Sequence, residues 1–151
     1  MDVCKFANRD LYVGRMATAA FSVDRFLAAP PLARVREVQK GLPASALRAI
    51  ADGKVVTVAD LVGIVGTRRT LDRRLADDAL LTLEESDRLA RFAEVLALAT
   101  HVLGDRTAAM KWLRAPQFSF DGTPPIELMQ TYSGSDLVIN LLQGFRHGMF
   151  A

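Results

Sequence analysis

The chain has 151 residues, half of them hydrophobic, which is enough to bury one sizeable core or two small ones. Its single cysteine, Cys4, has no partner for an internal disulfide, and two histidines 46 positions apart do not make a metal-ligand cluster. A net charge of +2 does not by itself argue for nucleic acid, so the placement of the fifteen arginines and four lysines matters more than their sum.

The opening residues Met1-Asp2-Val3-Cys4-Lys5 lead into no apolar run, and no window holds the roughly 18 uninterrupted apolar residues of a membrane span. The expected location is the cytoplasm, with no membrane partner. Residues 1–31 read as an N-terminal arm, because Ala28-Ala29-Pro30-Pro31 forbids a continuous helix. Within the arm, Phe21, Val23, Phe26 and Leu27 are apolar enough to dock on the rest of the protein.

From Leu32 the apolar spacing becomes helical. Leu32, Val35 and Val38 precede Gly41, and Pro43 opens a second short helix, Ala44 to Ile50, closed by Gly53. Thr57 and Asp60 have the spacing of a capping pair, and Val56 and Leu61 that of a hydrophobic staple. The helix they start is expected to run through Leu61, Val62, Ile64 and Val65 to Gly66, nearly all apolar and hence buried. Gly66 and Thr67 then supply a stop and a new cap, so a helix from about Arg68 to Ala76 leaves at an angle, anchored inward by Leu71 and Leu75. A buried helix, a tight glycine turn and an arginine-rich helix together have the form of a helix-turn-helix.

Thr82-Leu83-Glu84-Glu85 is a capping box, and Leu89, Phe92, Leu96, Ala99 and Leu103 trace one face of a long helix ending at Gly104. A further helix starts at Asp105, pairs Ala108 with Trp112 and Ala109 with Leu113, and ends before Pro116. Residues 117–125 read as a loop turning at Asp121-Gly122, after which Pro124-Pro125 opens a short helix through Ile126, Leu128 and Met129. Gly134 is expected to break it, and the last helix to begin at Ser135 and carry Leu137, Val138, Leu141, Leu142 and Phe145. No period-two alternation occurs, so the fold class is all-α. The expected division is the arm, a helix-turn-helix domain over residues 32–81, and a helical linker with a second small helical domain over 82–151.

No phosphate-cradling loop or nucleophile elbow is present, so neither an enzyme nor a bound cofactor is expected. The chemistry lies elsewhere. Thr67, Arg68, Arg69, Thr70, Arg73 and Arg74 form a local balance of +3 once Asp72 is counted. They read either as a DNA-binding surface, with side chains near the helix start reaching base edges, or as a solvated face. His101, near a helix C-terminus, suits a packing or capping role, whereas His147 lies in a segment suited to entering another protein. Trp112, Phe118 and Phe120 are core residues or, for one of the last two, an exposed anchor.

Leu103-Gly104-Asp105, Ala109 to Pro116, Gly122-Thr123-Pro124-Pro125-Ile126-Glu127-Leu128, Gly134, Val138, Leu141-Leu142 and His147-Gly148-Met149-Phe150-Ala151 together resemble the toxin-binding domain of the Xre/MbcA/ParS antitoxins. Residues from Leu32 to about Ala79 resemble the Xre-like helix-turn-helix of the same family. Thr123 departs from the pattern, since the family often has a basic residue after the glycine. The resemblance implies an antitoxin whose partner is a RES-domain toxin that depletes NAD, with operator DNA as the second partner and repression of a shared operon. It points to Gly144, Arg146, His147, Gly148, Met149, Phe150 and Ala151 as a plug for the toxin's NAD pocket. A glycine, adaptable apolar side chains and a terminal carboxylate suit such insertion. Docking is expected through an apolar surface of Trp112, Ile126, Leu128, Val138 and Leu142. Paired half-sites imply a homodimer within a larger toxin-antitoxin complex. Two other readings remain: a stand-alone transcription regulator, and a toxin-binding module whose helix-turn-helix does not bind DNA.

Overall fold

A computed structural model describes residues 20–148; Cys4, most of the expected arm and Met149, Phe150 and Ala151 of the expected plug fall outside them. The described residues are helical, in the order α1 Val23–Ala28, α2 Pro31–Lys40, α3 Ala44–Ile50, α4 Val58–Leu61, α5 Arg68–Asp77, α6 Leu83–Leu103, α7 Arg106–Arg114, α8 Pro125–Leu128 and α9 Tyr132–Arg146. A 3-10 turn, Phe118–Phe120, links α7 to α8. Among the described residues no helix is long and apolar enough to cross a membrane.

The helix starts follow from their caps. Ser22, Thr67, Asp105 and Thr131 each accept from the amide three residues on, removing one of the unpaired N–H groups at a helix end. At α6 the box is complete: Thr82 Oγ1 accepts from the Glu85 amide at 3.2 Å, and Glu85 Oε2 accepts from the Thr82 amide at 2.8 Å. That same carboxylate receives Arg74 Nε at 3.1 Å, so the end of α5 is tied to the start of α6.

One apolar cluster runs from Phe26 to Leu142, with Leu89, Phe92, Val95, Leu96 and Ala99 of α6 at its centre. Helices α1, α2, α7 and α9 all pack on α6. Polar groups caught inside are satisfied locally: buried Ser86 accepts from the Leu42 amide at 2.8 Å, and buried Ser135 donates to the Thr131 carbonyl at 3.0 Å.

Two expectations change. The helix expected to reach Gly66 stops at Leu61 after one turn, where Val62 turns extended and Gly63 follows with a φ of +85°; Ile64 and Val65 are buried from a turn instead. Gly134 does not end the short helix, which stops at Leu128, but lies in the first turn of the last one, since α9 starts at Tyr132 and not at Ser135. Its role is close approach: a Cβ there would stand 1.9 Å from the Leu128 carbonyl oxygen, so only glycine lets α8 sit against α9. Residues 23–28 form a capped helix that places Phe26 in the core, so this part of the expected arm is docked.

Thr82→Ala removes half of the α6 box and is expected to destabilise the protein by about 1 kcal/mol in chemical denaturation. A midpoint unchanged from wild type would show that the Glu85–Arg74 pair, and not the threonine, fixes the start of α6.

Candidate functional site

The arginines of α5 divide into two kinds. Arg68 is neutralised by Asp72 one turn on, its Nε within 2.9 and 3.1 Å of the two carboxylate oxygens. Arg74 is largely covered and committed to Glu85, so it is drawn toward α6 and away from the exposed face expected for it. Arg69 and Arg73 are exposed and have no side-chain partner among the described residues. Thr67 and Thr70 are spent on the helix start, their hydroxyls 2.9 Å apart while Thr67 Oγ1 also accepts the Thr70 amide. The α5 side chains still available to a polyanion are therefore Arg69 and Arg73, with Arg68 in reserve.

Just before α5 lies the single turn α4, and its capping carboxylate holds the link between the two parts of the chain. Asp60 Oδ2 accepts from the Thr57 amide at 2.7 Å and from the Thr57 hydroxyl at 2.9 Å. Arg114, at the end of α7, completes a two-pronged pair: Nε reaches Asp60 Oδ1 at 2.9 Å and Nη2 reaches Oδ2 at 2.7 Å. Arg114 Nη2 also donates to the Val55 carbonyl at 2.9 Å. Burial pushes the Asp60 carboxyl up, but the hydrogen bonds from Arg114 and Thr57 outweigh it and hold the group below its ordinary range. The same pair raises the Arg114 guanidinium. This clamp joins residues 54 apart in sequence, and nothing in local spacing announces it.

At the other end of α7, Arg106 donates to the Ile50 carbonyl and lies 3.7 Å from Asp52. Asp52 is itself engaged by the amides of Lys54, Val55 and Val56, at 2.9, 2.9 and 3.2 Å. Those amide bonds, from Lys54 and Val55 first, keep its carboxyl below the ordinary range.

The apolar docking surface expected from sequence needs correction. Val138 and Leu142 are fully buried in the core and offer nothing to a partner, because the inward stripe of α9 closes on α6. Ile126 and Leu128 are partly buried against that core. Trp112 is half-buried, its ring edge-on to Phe145 with centroids 6.0 Å apart. The apolar side chains that do face outward in this region are Phe118, Tyr132, Leu137 and Phe145, and Phe118 is fully exposed. Its loop is held by the Gln117 side chain, which donates to the Trp112 and Ala115 carbonyls at 3.2 Å each. Phe120, by contrast, packs on the core. The left-handed Asp121 that follows is legible as a turn, but not which ring it turns outward.

Gly144 and Arg146 belong to α9, Gly144 buried and Arg146 exposed, so this start of the expected plug is ordered helix. His147 caps α9 and, like Gly148, is exposed.

Two adjoining matches account for most of the chain. Residues 33–94 match the antitoxin Xre-like helix-turn-helix domain, and residues 98–148 match the antitoxin Xre/MbcA/ParS C-terminal toxin-binding domain. An antitoxin Xre from Pseudomonas putida is 32% identical over 111 residues, 74% of this chain and 69% of that protein. The chain belongs to the Xre/MbcA/ParS antitoxin family. An antitoxin Xre from Photorhabdus laumondii is 29% identical over 114 residues, 74% of this chain and 77% of its own. A Prs ADP-ribosylating antitoxin from a Sphingobium species is 23% identical over 144 residues, 89% of this chain and 91% of that protein. This Xre-type chain is thus an antitoxin of a toxin-antitoxin system, carrying a helix-turn-helix domain and a toxin-binding domain, and its role is not enzymatic. The join between the two matched segments, residues 95–97, falls inside α6.

Because Asp60 ionises below its ordinary value of 3.8 in the folded protein, its contribution is present in full above about pH 5 and is lost as the pH falls through and below that value. The stability gap between wild type and Arg114→Gln should be widest at neutral pH and close below about pH 4. A gap constant from pH 7 to about pH 3 would mean that Arg114 acts through the Val55 carbonyl and packing alone.

Proposed function

We propose that this antitoxin neutralises a RES-domain, NAD-depleting toxin by closing the toxin's NAD pocket with residues 144–151. We propose further that, as a homodimer, it represses its own operon through α5. The observation that carries the DNA half is that Arg69 and Arg73 project from α5 without a partner among the described residues, while Arg68 and Arg74 beside them are compensated. An unpaired guanidinium on the second helix of a helix-turn-helix is free to contact a guanine edge or a phosphate. The toxin half is supported by the exposed end of α9 and by the outward ring of Phe118, both within the segment that matches a toxin-binding domain. Thr67 and Thr70 act as positioning groups for the helix start, Arg68 is held by Asp72, and Arg74 acts through Glu85.

A second reading is favoured by one feature. The first helix of the helix-turn-helix is a single turn, α4, which offers little surface to brace α5 against a duplex. On that reading the chain is a toxin-binding module that has lost DNA binding.

The two readings separate in a promoter-binding titration. Arg69→Ala with Arg73→Ala should weaken binding to the chain's own promoter and flatten the salt dependence by about 0.9 for each phosphate no longer neutralised, while toxin binding stays intact. Promoter binding that the double variant leaves unchanged favours the second reading.

Deleting residues 147–151 starts beyond Arg146, the last helical residue of α9, and His147 and Gly148 are exposed. The truncated chain should fold, bind its promoter and still associate with the toxin, though more weakly. Cells expressing toxin with the truncated chain should lose NAD, where the full chain protects. Full protection by the truncated chain would refute the plug and move neutralisation to the surface around Phe118.

A further inference from the structure

Lys54 and Lys111 line one groove together with Arg114, although they come from the two different matched segments. Lys54 stands in the loop before α4, and Lys111 on α7. Both are exposed, and neither ammonium has a hydrogen-bond or ion-pair partner among the described residues. The nearby carboxylates are all engaged. Asp60 is held by Arg114 and Thr57, Asp52 by three amides, and Asp105 by the Ala108 amide at 2.8 Å. Two uncompensated positive charges therefore face the same opening, with Arg114 fixed between α7 and the turn of α4.

We propose that this groove is a second phosphate-contacting site for duplex DNA, which extends the DNA footprint from α5 onto α7. The first helix of a helix-turn-helix crosses the sugar-phosphate backbone while the second enters the major groove. Here the first helix is α4, which begins at Val58, four residues after Lys54, and its start is joined to α7 through Asp60 and Arg114. Cations at that start meet the phosphates that flank the groove occupied by α5. Such contacts carry no base preference and contribute affinity and register. They also give the short α4 the support it lacks by itself, because the backbone is gripped from α7 as well.

The proposal rests on the reading of α5 as the DNA-reading helix, and the test keeps the two apart. Full-length wild type, Lys54→Gln with Lys111→Gln, and Arg69→Ala with Arg73→Ala are titrated against a labelled duplex of the chain's own promoter over a series of salt concentrations. With two phosphates no longer neutralised, the plot of log affinity against log salt should flatten by about 1.8 for the lysine variant. The same flattening should appear on a scrambled duplex, and Lys54→Arg with Lys111→Arg should restore the wild-type slope. If the arginine variant flattens the slope and the lysine variant does not, the α7 site is refuted and the α5 reading stands. If the lysine variant instead loses affinity for the toxin at unchanged DNA binding, the groove receives an acidic surface of the toxin and the proposal is overturned. If wild type itself shows no salt-dependent duplex binding, both fall together.

Discussion

Along α6, Leu89, Phe92, Leu96 and Ala99 recur at intervals of three and four residues and are almost wholly removed from water, and α1, α2, α7 and α9 close over them. Burying side chains of this kind contributes roughly 1.5–3 kcal/mol each for the larger ones. Helices as short as α1, α3 and α8 have too few internal hydrogen bonds to hold themselves, and they exist because α6 and its neighbours receive their apolar faces. The same helix runs beneath both matched segments, so the DNA-binding and toxin-binding parts share one core. Phe92 is fully buried in this shared core.

Charge is arranged on top of that core by commitment. Arg48, Arg74, Arg106 and Arg114 all donate to backbone carbonyls or carboxylates that belong to other elements. These cations fasten α3 to α5, α5 to α6, and α7 to the residues around α4. Around α4 and α5 the cations left without a partner among the described residues are Arg69, Arg73, Lys54 and, across the groove on α7, Lys111. A net charge of +2 therefore understates how positive the available surface is in this part of the molecule.

Much of this is legible in the sequence wherever the signal is local. The box at Thr82 and Glu85, the apolar period of α6, the caps at Thr67 and Asp105, and the turn at Asp121-Gly122 all rest on residues within four positions of one another. The misreadings at Gly134 and along α9 involve tertiary partners. Gly134 looks like a helix breaker until the Leu128 carbonyl is placed against it. Val138 and Leu142 look like a docking stripe until α6 covers them, while Leu32 and Val35, also apolar and also at helical spacing, stay exposed on α2. Hydrophobic periodicity identifies the apolar stripe of a helix but not what covers it. The Arg114–Asp60 clamp lies beyond any local rule, because its meaning depends on α7 lying along residues 51–57.

That position of α7 fastens the segment that matches a toxin-binding domain to the start of the helix-turn-helix. Arg106 fixes its beginning to the end of α3, and Arg114 fixes its end to the Val55 carbonyl and to Asp60. Between these two fastenings lies the loop that leads into α4, braced from within by the Asp52 carboxylate on three successive amides. The last helix, α9, also packs on α6. Coupling between two ligands requires each to favour a different arrangement of a shared element. The shared element best placed to serve is α7, since among the described helices it both packs on α6 and holds the capping carboxylate of α4.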